Sequence, residues 1–129
     1  MFNVLLIGNG AREHALAEAV VQSGHKPKLF SFMKANNPGI ASLSEKAFIG
    51  SYSDLAAVKA YAKECRIDFA IIGPEDPLNN GVVDALKAIG IPAVGPTKNL
   101  ARLETSKSFT RNLVRKYNIP GNPKFQIFT

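Results

Sequence analysis

The string Gly8-Asn9-Gly10-Ala11-Arg12-Glu13-His14 follows an apolar run, Phe2 to Ile7. Two glycines there let the backbone turn tightly and approach a ligand, and a helix beginning at this point presents free N–H groups and its positive dipole end. The string is therefore an anion site by construction, with Gly8, Asn9, Gly10 and Ala11 supplying backbone. Arg12 either clamps a phosphate or covers the sheet. Glu13 stands where a G-x-G-x-x-G dinucleotide fingerprint has a small residue. The next apolar run ends on Phe32, Met33 and Lys34, with no acid for ribose hydroxyls. Both departures weigh against NAD. A carboxylate at Glu13 suits sugar hydroxyls or an amine. The plainer reading is an exposed first-turn acid that complements the helix dipole, worth about 0.3–1 kcal/mol. His14 has no second histidine at metal spacing and reads as packed against the loop, while His25 sits in a turn and carries no signal.

Gly73-Pro74-Glu75-Asp76-Pro77-Leu78 holds two carboxylates in a stiff frame at the end of a later apolar run. In open parallel sheets, ligands bind at the carboxyl ends of strands. Two acids without histidine or cysteine make a poor zinc site. Glu75 reads as a carboxylate for sugar hydroxyls or an ammonium group, and Asp76 as a cap for the following helix.

These loops need elements to hold them. Apolar runs at 2–7, 28–32, 47–49, 68–72 and 91–94 read as strands. Between them lie a helix over 12–22 with Ala15, Leu16, Ala19 and Val20 as its apolar stripe, and a helix capped by Ser53 or Asp54 whose inner face is Leu55, Val58, Tyr61 and Ala62. A third helix carries Val82, Val83, Leu86 and Ile89 and closes at Gly90. Residues 33–44, with Asn36-Asn37-Pro38-Gly39, read as a loop, as do residues 73–80. Alternating strands and helices without hairpin signals predict an α/β fold, a doubly wound parallel sheet of about five strands. Beyond Thr97 two helices are expected, over 98–103 and 106–117, followed by a strand over 124–129 without a partner. The organisation expected is an α/β domain over 1–97 and a basic helical linker over 98–129.

Length and charge narrow the function classes. With 129 residues, 46% of them apolar, the chain has material for one domain with a core, not two. One cysteine, Cys65, excludes a disulfide framework and points to a reducing compartment, so the cytoplasm is expected. The apolar run at 4–7 is too short for a signal peptide or a membrane span. The net charge of +6 belongs to the tail: residues 1–97 balance nine Lys/Arg against nine Asp/Glu, whereas residues 98–129 set seven against Glu104 alone. That tail interleaves its cations with Leu103, Phe109, Leu113 and Val114 at helical spacing, the pattern of a helix docking on a domain rather than of a nucleic-acid reader.

Five strings in order, G-N-G-A-R-E-H-A-L (8–16), I-I-G-P-E-D-P-L (71–78), G-V-V-D (81–84), V-G-P-T (94–97) and L-E-T-S-K-S-F-T (103–110), resemble the phosphoribosylamine-glycine ligases, or glycinamide ribonucleotide synthetases, of the ATP-grasp superfamily. The family's usual forms have Gly at Ala11, Gly or Asp at Thr105, and Pro-Gly-Asn-x-Gly where this chain reads Lys34 to Gly39. The resemblance implies a Rossmann-like pre-ATP-grasp domain from a step of de novo purine synthesis, in which glycine is joined to 5-phosphoribosylamine with ATP hydrolysis. It implies ATP and magnesium, with manganese as an alternative, in the full enzyme. It places Gly8, Asn9, Gly10, Ala11, Arg12, Glu13 and Glu75 at the phosphoribosyl substrate, and Lys107 at the ATP phosphates. Catalytic residues, metal ligands and the glycine site are expected in further C-terminal domains of the same chain, so these 129 residues alone are expected to be an inactive N-terminal fragment. Small-molecule substrates are the expected partners, with no nucleic acid and no membrane. The competing readings are the equivalent domain of another ATP-grasp carboxylate-amine ligase, such as a biotin carboxylase, and a free-standing nucleotide-binding domain.

Overall fold

A computed structural model describes residues 1–128. Five parallel strands, β1 (Asn3–Ile7), β2 (Lys28–Met33), β3 (Lys46–Ile49), β4 (Phe69–Ile72) and β5 (Ala93–Val94), form one sheet in the order β3-β2-β1-β4-β5. β1 is central: Leu5 lies beside Phe30 of β2 on one side and Ala70 of β4 on the other. Its residues Val4 to Ile7 are all buried, as a strand covered on both faces must be.

One face packs Leu6, Leu29 and Met33 against α1 (Ala11–Val21) and α2 (Pro38–Leu43) through Ala17 and Ile40. The other packs Leu5, Ile7 and Phe32 against α3 (Leu55–Glu64) and α5 (Val82–Lys87) through Val58, Tyr61, Ala62 and Leu86. Asp54, not Ser53, caps α3, accepting from Ala57 N–H at 2.9 Å. The chain runs outward from β1 to β3 and then crosses to β4, so the order reverses between β1 and β4. That is where ligands settle in such sheets.

Four expectations are corrected. Residues 38–43 and 75–80 are not loop but short helices, α2 and α4 (Glu75–Asn80). Asn37 accepts from Gly39 N–H and Ile40 N–H, and Pro38 follows at the first helical position, where no N–H is needed. Pro74 precedes α4 and Pro77 falls in its first turn, for the same reason, until Gly81 in the left-handed region breaks α4 from α5. The apolar stripe of α1 is displaced: Ala15 and Ala19 are exposed, and the inner face is Glu13, Leu16, Ala17 and Val20. Beyond β5 come α6 (Lys98–Thr105) and α7 (Lys107–Lys116), but residues 124–128 form no strand, because no sheet edge lies beside them to take their backbone bonds. Thr129 lies outside the described residues. No helix among them is long and apolar enough to cross a membrane.

Phe32, Phe48, Tyr52 and Tyr61 form an aromatic cluster at the β2–β3 edge, with Phe32 and Phe48 stacked 5.0 Å apart. Burial pushes the hydroxyls of Tyr52 and Tyr61 and the nearby Cys65 thiol above their usual pKa values. The neutral forms are therefore favoured by folding. Their contribution is fully present below the unfolded values, about 8.5 for cysteine and 10 for tyrosine, and is lost as pH rises through the folded ones. Urea midpoints should hold level to about pH 8 and fall above it. Midpoints still level where the tyrosines of the unfolded chain have ionised would contradict this.

Candidate functional site

Three loops meet at the carboxyl edge of the sheet: Gly8–Gly10 after β1, Lys34–Asn37 after β2 and Gly73–Pro74 after β4. Gly8 lies at φ +137°, a conformation side-chain-bearing residues avoid, and donates its N–H to Phe32 O at 3.1 Å. This turns the chain sharply off β1 and into α1.

Glu13 is 3% exposed, contrary to the exposed first-turn acid of the plainer reading. Its Oε2 accepts from Gly10 N–H at 2.8 Å and its Oε1 from Arg12 Nε at 3.2 Å. This is half of a capping box, since Gly10 has no side chain to return the bond. The side chain is wedged between two glycines: a Cβ on Gly8 would lie 2.4 Å from Glu13 Cγ, and one on Gly73 only 2.3 Å. Glu13 thus does not face the crevice as a free carboxylate, and the Gly10 N–H is already engaged. The N–H groups of Ala11 and Arg12, the first two helical positions, have no partner among the described residues.

Arg12 spans the crevice. Its Nη2 donates to Gly73 O at 2.9 Å and stands 3.7 Å from Glu75 Oε1, while the side chain stays 60% exposed. The hydrogen bond to Glu13, and then that carboxylate's charge, raise the pKa of the guanidinium further. Glu75, at the start of α4, keeps a half-exposed carboxylate beside it. Asp76 does not cap α4: its Oδ1 accepts from Asn80 Nδ2 at 2.9 Å and its Oδ2 pairs with Lys34 Nζ at 3.4 Å. The carboxylates of Glu75, Asp76 and Glu104 line a cleft of about 320 Å³.

Asn9 offers less backbone than expected, because it is a junction. Its Oδ1 accepts from the Tyr52 hydroxyl at 2.7 Å and from Lys34 N–H at 3.2 Å, and its carbonyl accepts from Asn37 Nδ2 at 3.0 Å. Tyr52, Lys34 and Asn37 were not singled out by sequence. Tyr52 carries no local signal, since it lies 43 residues from its partner. His14 is packed, as expected: its ring fills the space over Gly39 and Nε2 stands 3.7 Å from Glu18 Oε1.

Away from this crevice, Lys107 opens α7 and is exposed. It lines a cleft of about 570 Å³ with Ser106, Ser108, Arg111 and Phe125. Among the described residues no group of three or more His, Cys, Asp or Glu side chains is placed to hold a metal ion. The crevice is thus built to bind an anion and a polar neighbour. It contains no cysteine, and the one histidine close to it points away.

A family model described as Phosphoribosylglycinamide synthetase, N domain, matches residues 2–104. A phosphoribosylamine–glycine ligase of Methanopyrus kandleri is 48% identical over 129 residues, covering 99% of this chain and 29% of its own length. The chain spans 28–29% of the length of such curated relatives. Among solved structures, an ADP complex of N5-carboxyaminoimidazole ribonucleotide synthetase superposes with a TM-score of 0.73 at 18% identity, over 92% of this chain and 30% of that one. A phosphoribosylglycinamide synthetase from Anaerococcus prevotii does so with 0.69 at 16% identity, over 91% and 29%. These two show a shared fold, the one read from the alternating strands and helices. The chain belongs to the phosphoribosylglycinamide synthetase family, as its N domain.

Proposed function

We propose that this domain holds the phosphoribosyl substrate of a ligase that joins glycine to 5-phosphoribosylamine in de novo purine synthesis. In that reaction glycine is activated as an acyl phosphate at the expense of ATP. The amine of 5-phosphoribosylamine attacks the acyl carbon, and phosphate leaves to give glycinamide ribonucleotide. One observation carries the reading: at the β1/β4 crossover the unpartnered N–H groups of Ala11 and Arg12, the Arg12 guanidinium and the half-exposed Glu75 carboxylate face one crevice. Donors there suit a phosphate, and the carboxylate suits ribose hydroxyls or an amine.

The roles then divide. Gly8, Gly10 and Ala11 let backbone approach the phosphate, and Arg12 adds charge. Glu75 takes the sugar or amine, while Glu13, from inside, and Asn9, as the junction, fix the loop. Lys107, with Arg111 in the same cleft, fits the phosphates of ATP. Magnesium would neutralise those phosphates, but the described residues do not fit it, so its ligands are assigned to other parts of the ligase. Residues 98–129 are read as the passage to those parts, and the cytoplasm, where purine precursors are made, as the place of action.

Arg12→Ala tests the crevice. Calorimetric titration with glycinamide ribonucleotide should show affinity about tenfold weaker, or roughly 1.4 kcal/mol. The melting temperature should change little, because the side chain is largely exposed. Equal affinity in the two chains would contradict the assignment.

A further inference from the structure

We infer that Tyr52 is a positioning residue for this crevice: its hydroxyl, in the loop after β3, holds Asn9 and thereby sets how tightly the β1 loop takes a phosphoribosyl ligand. The inference rests on the phosphoribosyl reading above. Tyr52 is 3% exposed, and its ring packs at 6.4 Å from Phe32 in the aromatic cluster. Ring packing alone needs no hydroxyl, and a phenylalanine would bury the same face without a polar atom. The hydroxyl instead donates to Asn9 Oδ1 at 2.7 Å and accepts from Lys34 N–H at 3.3 Å, so it bridges the loops after β1 and β2.

Asn37 completes the tether from the other side. Its Nδ2 donates to Asn9 O at 3.0 Å while its Oδ1 caps α2. Asn9 is thus held at both its side chain and its carbonyl, one residue before Gly10 and two before the free N–H of Ala11. Anion binding by backbone N–H groups depends on their staying aimed without reorganisation, which is what such a tether provides. Burial raises the Tyr52 pKa, so the hydroxyl remains a donor throughout the neutral range.

Two variants separate positioning from plain stability. Tyr52→Phe keeps the ring and deletes the hydroxyl. Asn37→Ser keeps a capping oxygen for α2 but loses the reach to Asn9. In calorimetric titrations with glycinamide ribonucleotide, Tyr52→Phe should bind about tenfold more weakly and Asn37→Ser about threefold. Amide hydrogen exchange should quicken at Asn9, Gly10 and Lys34, and stay unchanged in β1 and β4. If the parent chain binds and Tyr52→Phe binds equally well, the inference fails and the phosphoribosyl reading stands. Weaker binding with faster exchange throughout the sheet would assign Tyr52 a merely structural role and also overturn it. If the parent chain itself does not bind, both readings fall together. Should Tyr52→Phe not fold, undiminished binding by Asn37→Ser overturns the inference alone.

Discussion

Glu13→Ala should lower the melting temperature by roughly 10 °C, the larger part of it through the loop rather than the helix. Two terms combine. The carboxylate satisfies Gly10 N–H, and loss of such a cap costs about 1 kcal/mol. A buried charge-assisted bond is worth about 1.5–3 kcal/mol, and its loss also frees Arg12 Nε and leaves a gap between Gly8 and Gly73. Together they come to roughly 2–3 kcal/mol, and each is worth about 3–5 °C in a chain of this length. Glu13→Gln keeps an acceptor for Gly10 and loses only the ion pair, so its drop should be about half. Differential scanning calorimetry of both variants checks this, and a fall below about 3 °C for the alanine variant would show the wedge to be dispensable.

Gly73→Ala should be about as damaging, for a reason that reverses when Glu13 is gone. Its new Cβ would lie 2.3 Å from Glu13 Cγ and 2.4 Å from Oε1. The backbone cannot retreat, because Gly73 N–H is bonded to Ile7 O at 3.0 Å. Overpacking of this kind costs roughly 1–3 kcal/mol. In a Glu13→Ala background the obstruction is absent, so the double variant should be more stable than the sum of the single losses by more than about 1 kcal/mol, the coupling expected of touching residues. Gly8→Ala offers the contrast. Its Cβ would also meet Pro74 Cδ at 2.8 Å, and its φ of +137° remains strained whatever occupies position 13, so Glu13→Ala should not rescue it. Strict additivity for the Gly73 pair in urea unfolding would contradict the wedge.

The sheet was legible because its strands are short apolar runs ended by turn residues, and burial on both faces demands that pattern. The two missed helices share one cause. Asn37-Pro38-Gly39 and Pro74 to Pro77 contain residues that make turns, yet the same residues also begin helices, and six-residue segments give periodicity little length to register. The stripe of α1 was displaced because alanines at 15, 17 and 19 look alike in sequence, and the inner position at 13 is filled by a carboxylate. The β1 loop and Glu75 were found at the crevice through their local strings. The inward turn of Glu13 was hidden, since it depends on Gly73, sixty residues away and brought alongside only by the β1–β4 pairing. Tyr52 was hidden for the same reason.

The most direct test of the central claim is an amide-resolved NMR titration of this chain with glycinamide ribonucleotide, a stable stand-in for the labile amine, with NAD as control. The account predicts shifts gathered at residues 8–14 and around Glu75, saturating together, with none from NAD. Shifts from NAD at those amides, or glycinamide ribonucleotide shifts confined to regions away from the β1 and β4 loops, would contradict it.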